Sequence, residues 1–198
     1  MKFSVKVNAT SANIGAGFDC IGAALELKNE VIVSDECDSP LEIIASGGVP
    51  RDESNLVYRS MIKTFDAVGY RVGHLKIEQT DRIPMASGLG SSAACIVAGV
   101  CAANALSGFS LSERDTAALC ASIDGHPDNV LPALLGGVTA GVMLDGGVEY
   151  IRADIGKELS AVALTPDFPL LTEKSRRVLP QSYSREDVIF SLSRAVLT

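Results

Sequence analysis

The sequence predicts an α+β fold, and three observations carry that prediction. Apolar and polar residues alternate at the start of the chain and again after residue 138, the period of half-buried strands. Between 55 and 135 helical spacing takes over for long stretches. The resulting order is strands, helix, strand, three helices, strands, which is not the regular alternation of a parallel α/β sheet. The chain has 198 residues, of which 47% are hydrophobic. That supports one domain with a sizeable core, or one domain and part of another. It contains no internal repeat and no low-complexity linker.

Each element has its own signal. Met1-Lys2-Phe3-Ser4-Val5-Lys6-Val7 alternates and reads as a strand. It runs into Asn8–Asp19, a glycine-rich loop whose polar groups are Asn13 and Asp19. This is either a wide turn closed by an Asx cap or a functional loop. Val31–Val33 and Leu41–Ile44 read as strands joined through Asp38-Ser39-Pro40. Asn55–Val68 reads as a helix, with Leu56, Met61, Ile62 and Phe65 at helical spacing and Gly69 closing it. Leu75–Gln79 is a strand. Ala93–Leu106 has good helix formers and no proline, so it reads as a buried helix. Ser110 and Glu113 have capping-box spacing and open a helix that runs to about Asp124. Val138–Leu144 and Val148–Arg152 are strands around the turn Asp145-Gly146-Gly147. Leu159–Thr165 reads as a strand, and Thr172–Leu179 and Ser184–Leu197 read as helices parted by Pro180.

The densest chemical signal is Pro84-Met85-Ala86-Ser87-Gly88-Leu89-Gly90-Ser91-Ser92-Ala93-Ala94. Gly88 and Gly90 permit backbone conformations that other residues resist. Ser91 or Ser92 can cap the following helix. The first N–H groups of that helix lack internal partners and lie at the positive end of its dipole, so the loop suits an anion, phosphate above all. A plain capped helix after a flexible loop is the simpler alternative. The stretch has no lysine and is no Walker loop. Gly88-x-Gly90-x-x-Ala93 matches a relaxed dinucleotide fingerprint, but Pro84 separates it from the preceding strand and no acidic residue follows at the required spacing.

A second polar cluster is Gly125-His126-Pro127-Asp128-Asn129-Val130. Its His, Asp and Asn lie in a turn between two apolar elements. They either cap the next helix or face a substrate.

Composition narrows the class. A net charge of −7 gives no basic footprint for nucleic acid. Cys20, Cys37, Cys95, Cys101 and Cys120 are odd in number and lack Cys-x-x-Cys spacing, a reduced cytoplasmic pattern rather than a disulfide framework. Cys95 and Cys101 fall in the apolar helix and read as core. No segment approaches the ~20 apolar residues of a membrane span, and the N-terminus is no signal peptide.

The Pro84–Ala94 stretch resembles the second motif of the GHMP kinases, the superfamily of galactokinase, homoserine kinase, mevalonate kinase and phosphomevalonate kinase. The match is strongest to the homoserine kinase family. The Asn8–Asp19 loop resembles its Ala-Thr-x-Asn-x-Gly-x-Gly-Phe-Asp segment. Gly125–Val130 with Pro132–Gly137 resembles its most diagnostic stretch. Pro166-Asp167-Phe168, Thr172, Arg176 and Leu179-Pro180 resemble a substrate segment, and Asp187–Arg194 a later helix. The resemblance covers the whole chain in register.

It implies ATP-dependent phosphorylation of L-homoserine to O-phospho-L-homoserine in threonine biosynthesis. The implied fold is a ribosomal-protein-S5-domain-2-like N-terminal domain, residues 1–155, followed by part of a ferredoxin-like domain, 156–198. Pro84 to Ala94 would wrap the ATP phosphates and Asn55 would lie near adenine. Ser91, Ser92 and Asp124 would serve magnesium. Asn13, Asp19, His126, Asp128, Thr172 and Arg176 would line the homoserine site. Asp128, His126 and Arg176 are the catalytic candidates. Asp19 or Asp128 can bind the ammonium, Arg176 can take the carboxylate in two hydrogen bonds, and Asn13 and His126 can orient the hydroxyl.

Two departures stand out. Asp124 occupies the position where the family usually has Glu. The chain ends at Thr198, short of the family's third glycine-rich motif, so a C-terminally truncated member is expected. Val162, Leu164, Ile189 and Leu192 are then expected on an exposed surface, and the chain is expected to aggregate, to pair as a homodimer through that surface, or to leave residues beyond about Thr165 mobile. The alternatives are a non-catalytic nucleotide-binding fragment and a GHMP kinase for another small alcohol.

Overall fold

The computed structural model describes residues 1–156, 158, 160–164 and 176–197. Among them six strands form one sheet: β1 (Lys2–Ala12), β2 (Ile21–Ser34), β3 (Leu41–Ala45), β4 (Leu75–Thr80), β5 (Val138–Leu144) and β6 (Gly147–Ala153). The helices are α1 (Leu56–Val68), α2 (Ser91–Leu106), α3 (Glu113–Asp124), α4 (Pro127–Leu135) and α5 (Arg185–Ala195). The sheet runs β3-β4-β2-β5-β6, with β1 also paired to β2. Only β3 and β4 pair in parallel, and α1 supplies the crossover that a parallel pair needs.

The long strand β2 is the spine. β1 pairs along nearly all of it, from Lys2↔Ser34 to Ala12↔Gly22. On its other edge Glu30–Ser34 meet β4, while Ile21–Ala23 meet β5. The β1–β2 register slips between Asn8 and Thr10, where four residues of β2 are passed for two of β1. Alternation breaks at that bulge, and Ala9 and Thr10 are both buried.

Helix α2 lies against β1, β2, α1, α3 and α4. Twelve of its sixteen residues are buried, as expected of a helix apolar all round. Its alanines and Gly99 let neighbours approach closely. A Cβ on Gly99 would stand 2.5 Å from the Val57 carbonyl oxygen and 2.7 Å from the Ser60 Cβ of α1. The core around this crossing includes Met61, Phe65, Val97, Val100, Leu131 and Ile77.

Several local expectations need correction. Strand β1 continues through Asn8–Ala12, so the glycine loop is shorter, and β2 begins at Ile21 rather than Val31. Gly22 and the charged run Glu26-Leu27-Lys28-Asn29-Glu30 disguise the strand. Gly22 is required there because a Cβ would fall 1.8 Å from the Asp128 carbonyl oxygen. Neither Ser91 nor Ser92 caps α2: both are inside the helix, and its N-cap is Gly90 with no side-chain cap. The capping box of α3 is Ser112 with Asp115, two residues beyond Ser110 and Glu113. Residues 160–164 form no strand, while Leu159 and Thr165 lie outside the described residues. Of the helix expected from Thr172, only 176–179 is described, and only Arg176 is helical. The Gly69 cap stands as read, Asn55 is the N-cap of α1 rather than its first helical residue, and the hairpin turn is Asp145-Gly146, with Gly147 already in β6. Val162, Leu164, Ile189 and Leu192 are all exposed.

Replacing Gly99 by alanine forces a methyl group into the α1 backbone, and overpacking of this kind costs about 1–3 kcal/mol. Gly73 has open space around it. Urea denaturation should show Gly99→Ala destabilised within that range and Gly73→Ala within about 0.5 kcal/mol of the parent. Equal effects at the two positions would remove the close helix crossing as the cause.

Candidate functional site

A cavity of about 840 Å³ opens where the α2 N-terminus, the α1 N-terminus and the α3–α4 junction meet. Its first wall is the loop between β4 and α2. Ala86, Gly88 and Gly90 all have positive φ, at 53°, 76° and 68°. Alanine in this region is held against its preference by roughly 1–2 kcal/mol. The Ser87 hydroxyl closes the turn by donating to the Pro84 carbonyl at 2.7 Å. The Thr10 N–H donates to the Leu89 carbonyl at 3.1 Å and stitches the loop to β1. With Gly90 as an uncapped N-cap, the first amides of α2 remain available at the positive end of the helix.

The second wall is a hydrogen-bond chain at the start of α1. Asn55 Oδ1 accepts from the N–H groups of Val57 and Tyr58 and so caps the helix. Its Nδ2 donates to the Pro50 carbonyl and to Gln79 Oε1. Gln79 Nε2 donates to Asp81 Oδ1 at 3.0 Å and to Cys95 Sγ at 3.5 Å. Asn29 Nδ2 also donates to Asp81 Oδ1, and its oxygen accepts from the N–H groups of Arg82 and Ile83. The entrance to the glycine loop is thus tied to β2 and β4. Burial pushes the Cys95 thiol up to about 12, so it stays protonated.

The third wall carries charge. Asp124 ends α3, Asp128 lies in the first turn of α4, and His126 is the α4 N-cap residue without a side-chain cap bond. Burial, reinforced by the neighbouring Asp128, raises the Asp124 carboxyl from an ordinary 3.8 to about 6, with His126 and Arg176 opposing. Burial and then the charge of Asp19 raise Asp128 as well. Asp124 also occupies the negative end of its helix dipole, an unfavourable place for a carboxylate. Arg176 faces this acidic side and pairs with Asp19 through two hydrogen bonds, Nη1 to Oδ2 at 3.0 Å and Nη2 to Oδ1. Its guanidinium also lies 5.4 Å from the centre of the Phe18 ring. Asn13 Oδ1 accepts from the Asp19 N–H at 2.8 Å and closes the loop that carries both residues.

Of the residues singled out from sequence, Asn13, Asn55, Met85, Ala86, Ser87, Gly88, Leu89, Gly90, Ser91, Ser92, Asp124, His126, Asp128 and Arg176 line this one cavity. Asp19 is not on its wall but reaches it through Arg176. Pro84 is exposed beside the cavity, and Ala93 and Ala94 are buried beneath it. Thr172 lies outside the described residues. Gln79, Asp81 and Asn129 line the cavity without having been singled out as site residues. Asn129 was legible in the Gly125–Val130 segment, whereas Gln79 and Asp81 look like ordinary strand-end residues. Cys95, expected in the core, reaches the wall half-buried. Among the described residues no group of three or more His, Cys, Asp or Glu side chains is arranged to hold a metal by itself. Among the described residues no helix is long and apolar enough to cross a membrane.

Comparison with known proteins shows which family the chain resembles. Residues 55–137 match the family model of the GHMP kinases N terminal domain. A homoserine kinase of Caldicellulosiruptor bescii is 45% identical over 98% of this chain and 64% of its own length. One of Desulfitobacterium hafniense is 44% identical over 98% and 66%. The crystal structure of homoserine kinase from Cytophaga hutchinsonii superposes with a TM-score of 0.80 at 28% identity, covering 98% of this chain and 65% of that one. Methanococcus jannaschii mevalonate kinase shares the fold at TM-score 0.59 and 15% identity, over 77% and 56%. The chain spans 64–66% of the length of the homoserine kinases it matches.

The raised Asp124 carboxyl sets a pH dependence. An acid whose folded pKa exceeds its unfolded value stabilises the fold fully below the unfolded pKa and loses that contribution as pH rises through the folded pKa. The window here runs from about 4 to about 6. Asp124→Asn, neutral throughout, should match wild type near pH 4 and exceed it near pH 7.5 by on the order of 2 kcal/mol. Carboxyl-carbon NMR should place the Asp124 midpoint near 6. A midpoint near 4 would remove the buried two-carboxylate account.

Proposed function

We propose that the chain belongs to the homoserine kinase family of the GHMP kinases and carries the ATP and homoserine sites of an enzyme making O-phospho-L-homoserine. The reading rests on one observation above the others: a single cavity joins an uncapped, glycine-opened helix N-terminus to a cluster of Asp124, His126, Asp128 and Arg176. The first suits a polyphosphate. The second suits a small zwitterion with a reactive hydroxyl.

In this reading Pro84 to Ala94 wrap the phosphates, with the backbone of Ser87 to Ser92 nearest them, and Asn55 borders the nucleoside end. Residues 1–155 are the nucleotide-binding domain, and 156–198 belong to a second domain. The Asp19–Arg176 pair supports an amino-acid substrate. An α-ammonium can take Asp19 and an α-carboxylate can take both guanidinium hydrogen bonds, so each member exchanges a protein partner for a substrate partner. Asn13, His126, Asp128 and Thr172 are the other residues assigned to that side.

The substrate hydroxyl oxygen bonds to the γ-phosphorus as the bond from that phosphorus to the β,γ-bridging oxygen breaks, releasing ADP. The transition state is loose, so positioning and neutralisation of charge carry most of the acceleration. The hydroxyl proton is lost late, and Asp128, buried and raised in pKa, is placed to orient the hydroxyl and receive it. The donor set fits magnesium in the way phosphate-bound magnesium is held, by one or two carboxylates and a hydroxyl rather than an all-protein cage. Asp124 with Ser91 or Ser92 would hold the ion, which when bound neutralises phosphate charge.

A coupled ADP-release assay with homoserine, mevalonate and galactose tests the reading, run on this chain and on one extended to the relatives' length. Homoserine should be the only one of the three to support turnover. Turnover with another alcohol, or none in the extended chain, would overturn the assignment. Gly90→Val adds a branched side chain at positive φ, where a Cβ already falls 1.9 Å from Thr10 Oγ1. ATP binding by calorimetry should be abolished while far-UV circular dichroism stays largely native. Unchanged affinity would reduce the loop to a helix cap.

A further inference from the structure

Thr10 has no role in the assignments above, yet it touches both the glycine loop and the α4 end of the cavity. It is fully buried in β1, just past the bulge that breaks the strand's alternation. Its N–H holds the Leu89 carbonyl at 3.1 Å. Its hydroxyl donates to Asn129 Oδ1 at 2.8 Å. It also packs against Gly90, whose Cα direction would place a Cβ 1.9 Å from Thr10 Oγ1 and 3.1 Å from Asn129 Oδ1.

The side-chain amide of Asn129 can present either its acceptor or its donor to the cavity. With Oδ1 turned to Thr10, Nδ2 lies on the side of Asp128, 3.5 Å from its Oδ1. The opposite rotation would set Oδ1 against that carboxylate, acceptor against acceptor, and would leave the Thr10 proton without its acceptor. The Asp128 carboxylate, which can only accept, sets the sense of the amide, and the Thr10 hydroxyl, which can donate or accept, anchors it from behind. We propose that Thr10 is a positioning residue: its hydroxyl holds Asn129 Oδ1 on the β1 side, next to Gly90, and so keeps the N–H side of the amide turned to Asp128 at the acidic end of the cavity. The same residue fixes the loop, so the donor and the α2 amides are held in register by one side chain and its own backbone. The effect on ATP rests on the phosphoryl-transfer reading, but the locked amide does not.

Two measurements on the full chain separate these layers. Exchange of the Asn129 side-chain amide, followed by NMR, reads the lock with no ligand present. Calorimetry with ATP reads its consequence. Thr10→Val preserves shape and the backbone bond to Leu89 but removes the hydroxyl. It should accelerate Asn129 amide exchange at least tenfold and weaken ATP about tenfold. Thr10→Ser should restore both to within about twofold. Asn129→Asp, which keeps an acceptor for Thr10 and replaces the donor with a carboxylate oxygen, should lose ATP more severely than Thr10→Val. Unchanged exchange in Thr10→Val overturns the proposal, as does equal loss in Thr10→Val and Thr10→Ser, which would mean packing rather than the hydroxyl. If wild type shows the protected amide and the Thr10→Val response but binds no ATP, the lock stands and the kinase reading falls.

Discussion

The burial of α2 on nearly every side is the constraint from which the cavity follows. A helix with a polar face can slide or tilt toward water, but α2 has no such face. Its small residues bring α1 into van der Waals contact at Gly99, and its larger ones, Ile96, Val97, Val100 and Leu106, are each buried. Burial of a side chain of that size contributes about 1.5–3 kcal/mol, so displacing the helix would forfeit several such terms together. The first turn of α2 is consequently fixed in space. The chain must reach it through a tight approach, which is why Ala86, Gly88 and Gly90 adopt positive φ. Rigid amides that need not reorganise around an incoming anion are the product of a packing requirement, not of the loop alone.

The acidic wall shows the opposite economy. Asp124 is placed at the negative end of α3 and beside Asp128, where burial and a like charge both act against ionisation. Such conflicts with local preference concentrate at functional sites. The surrounding structure tolerates this one because Arg176 and His126 oppose it and because α4 is seated on β2, with Gly22 lying directly under the Asp128 carbonyl.

Sequence reading succeeded where the controlling forces are local. The helix over 55–68, its Gly69 stop and the hairpin turn at Asp145-Gly146 all depend on residues a few positions apart. It failed where distant contacts decide. Residues 21–30 have weak strand propensity, and they are a strand because β1 and β5 pair with them. Ser110–Glu113 has the spacing of a capping box, but Ser112–Asp115 has it too, and the actual start of α3 uses the latter. Gln79 and Asp81 belong to the site only because Asn55 and Asn29 reach them across 24 and 52 residues of sequence. The strand expected over 159–165 had alternation but, in its described part, no neighbour to pair with.

The Thr10–Asn129 hydrogen bond joins residues 119 apart in the chain, and β2 meets β5 across a similar distance. Loops of that size close slowly, so the folding chain can form the β1–β2 hairpin and α1 well before these contacts. Until they close there is no cavity, because its walls come from both ends of the ordered sequence. A half-folded chain therefore offers a ligand nothing to hold. Any molecule that fills the cavity recognises the finished fold alone, and by mass action it draws the whole population of nascent chains toward completion.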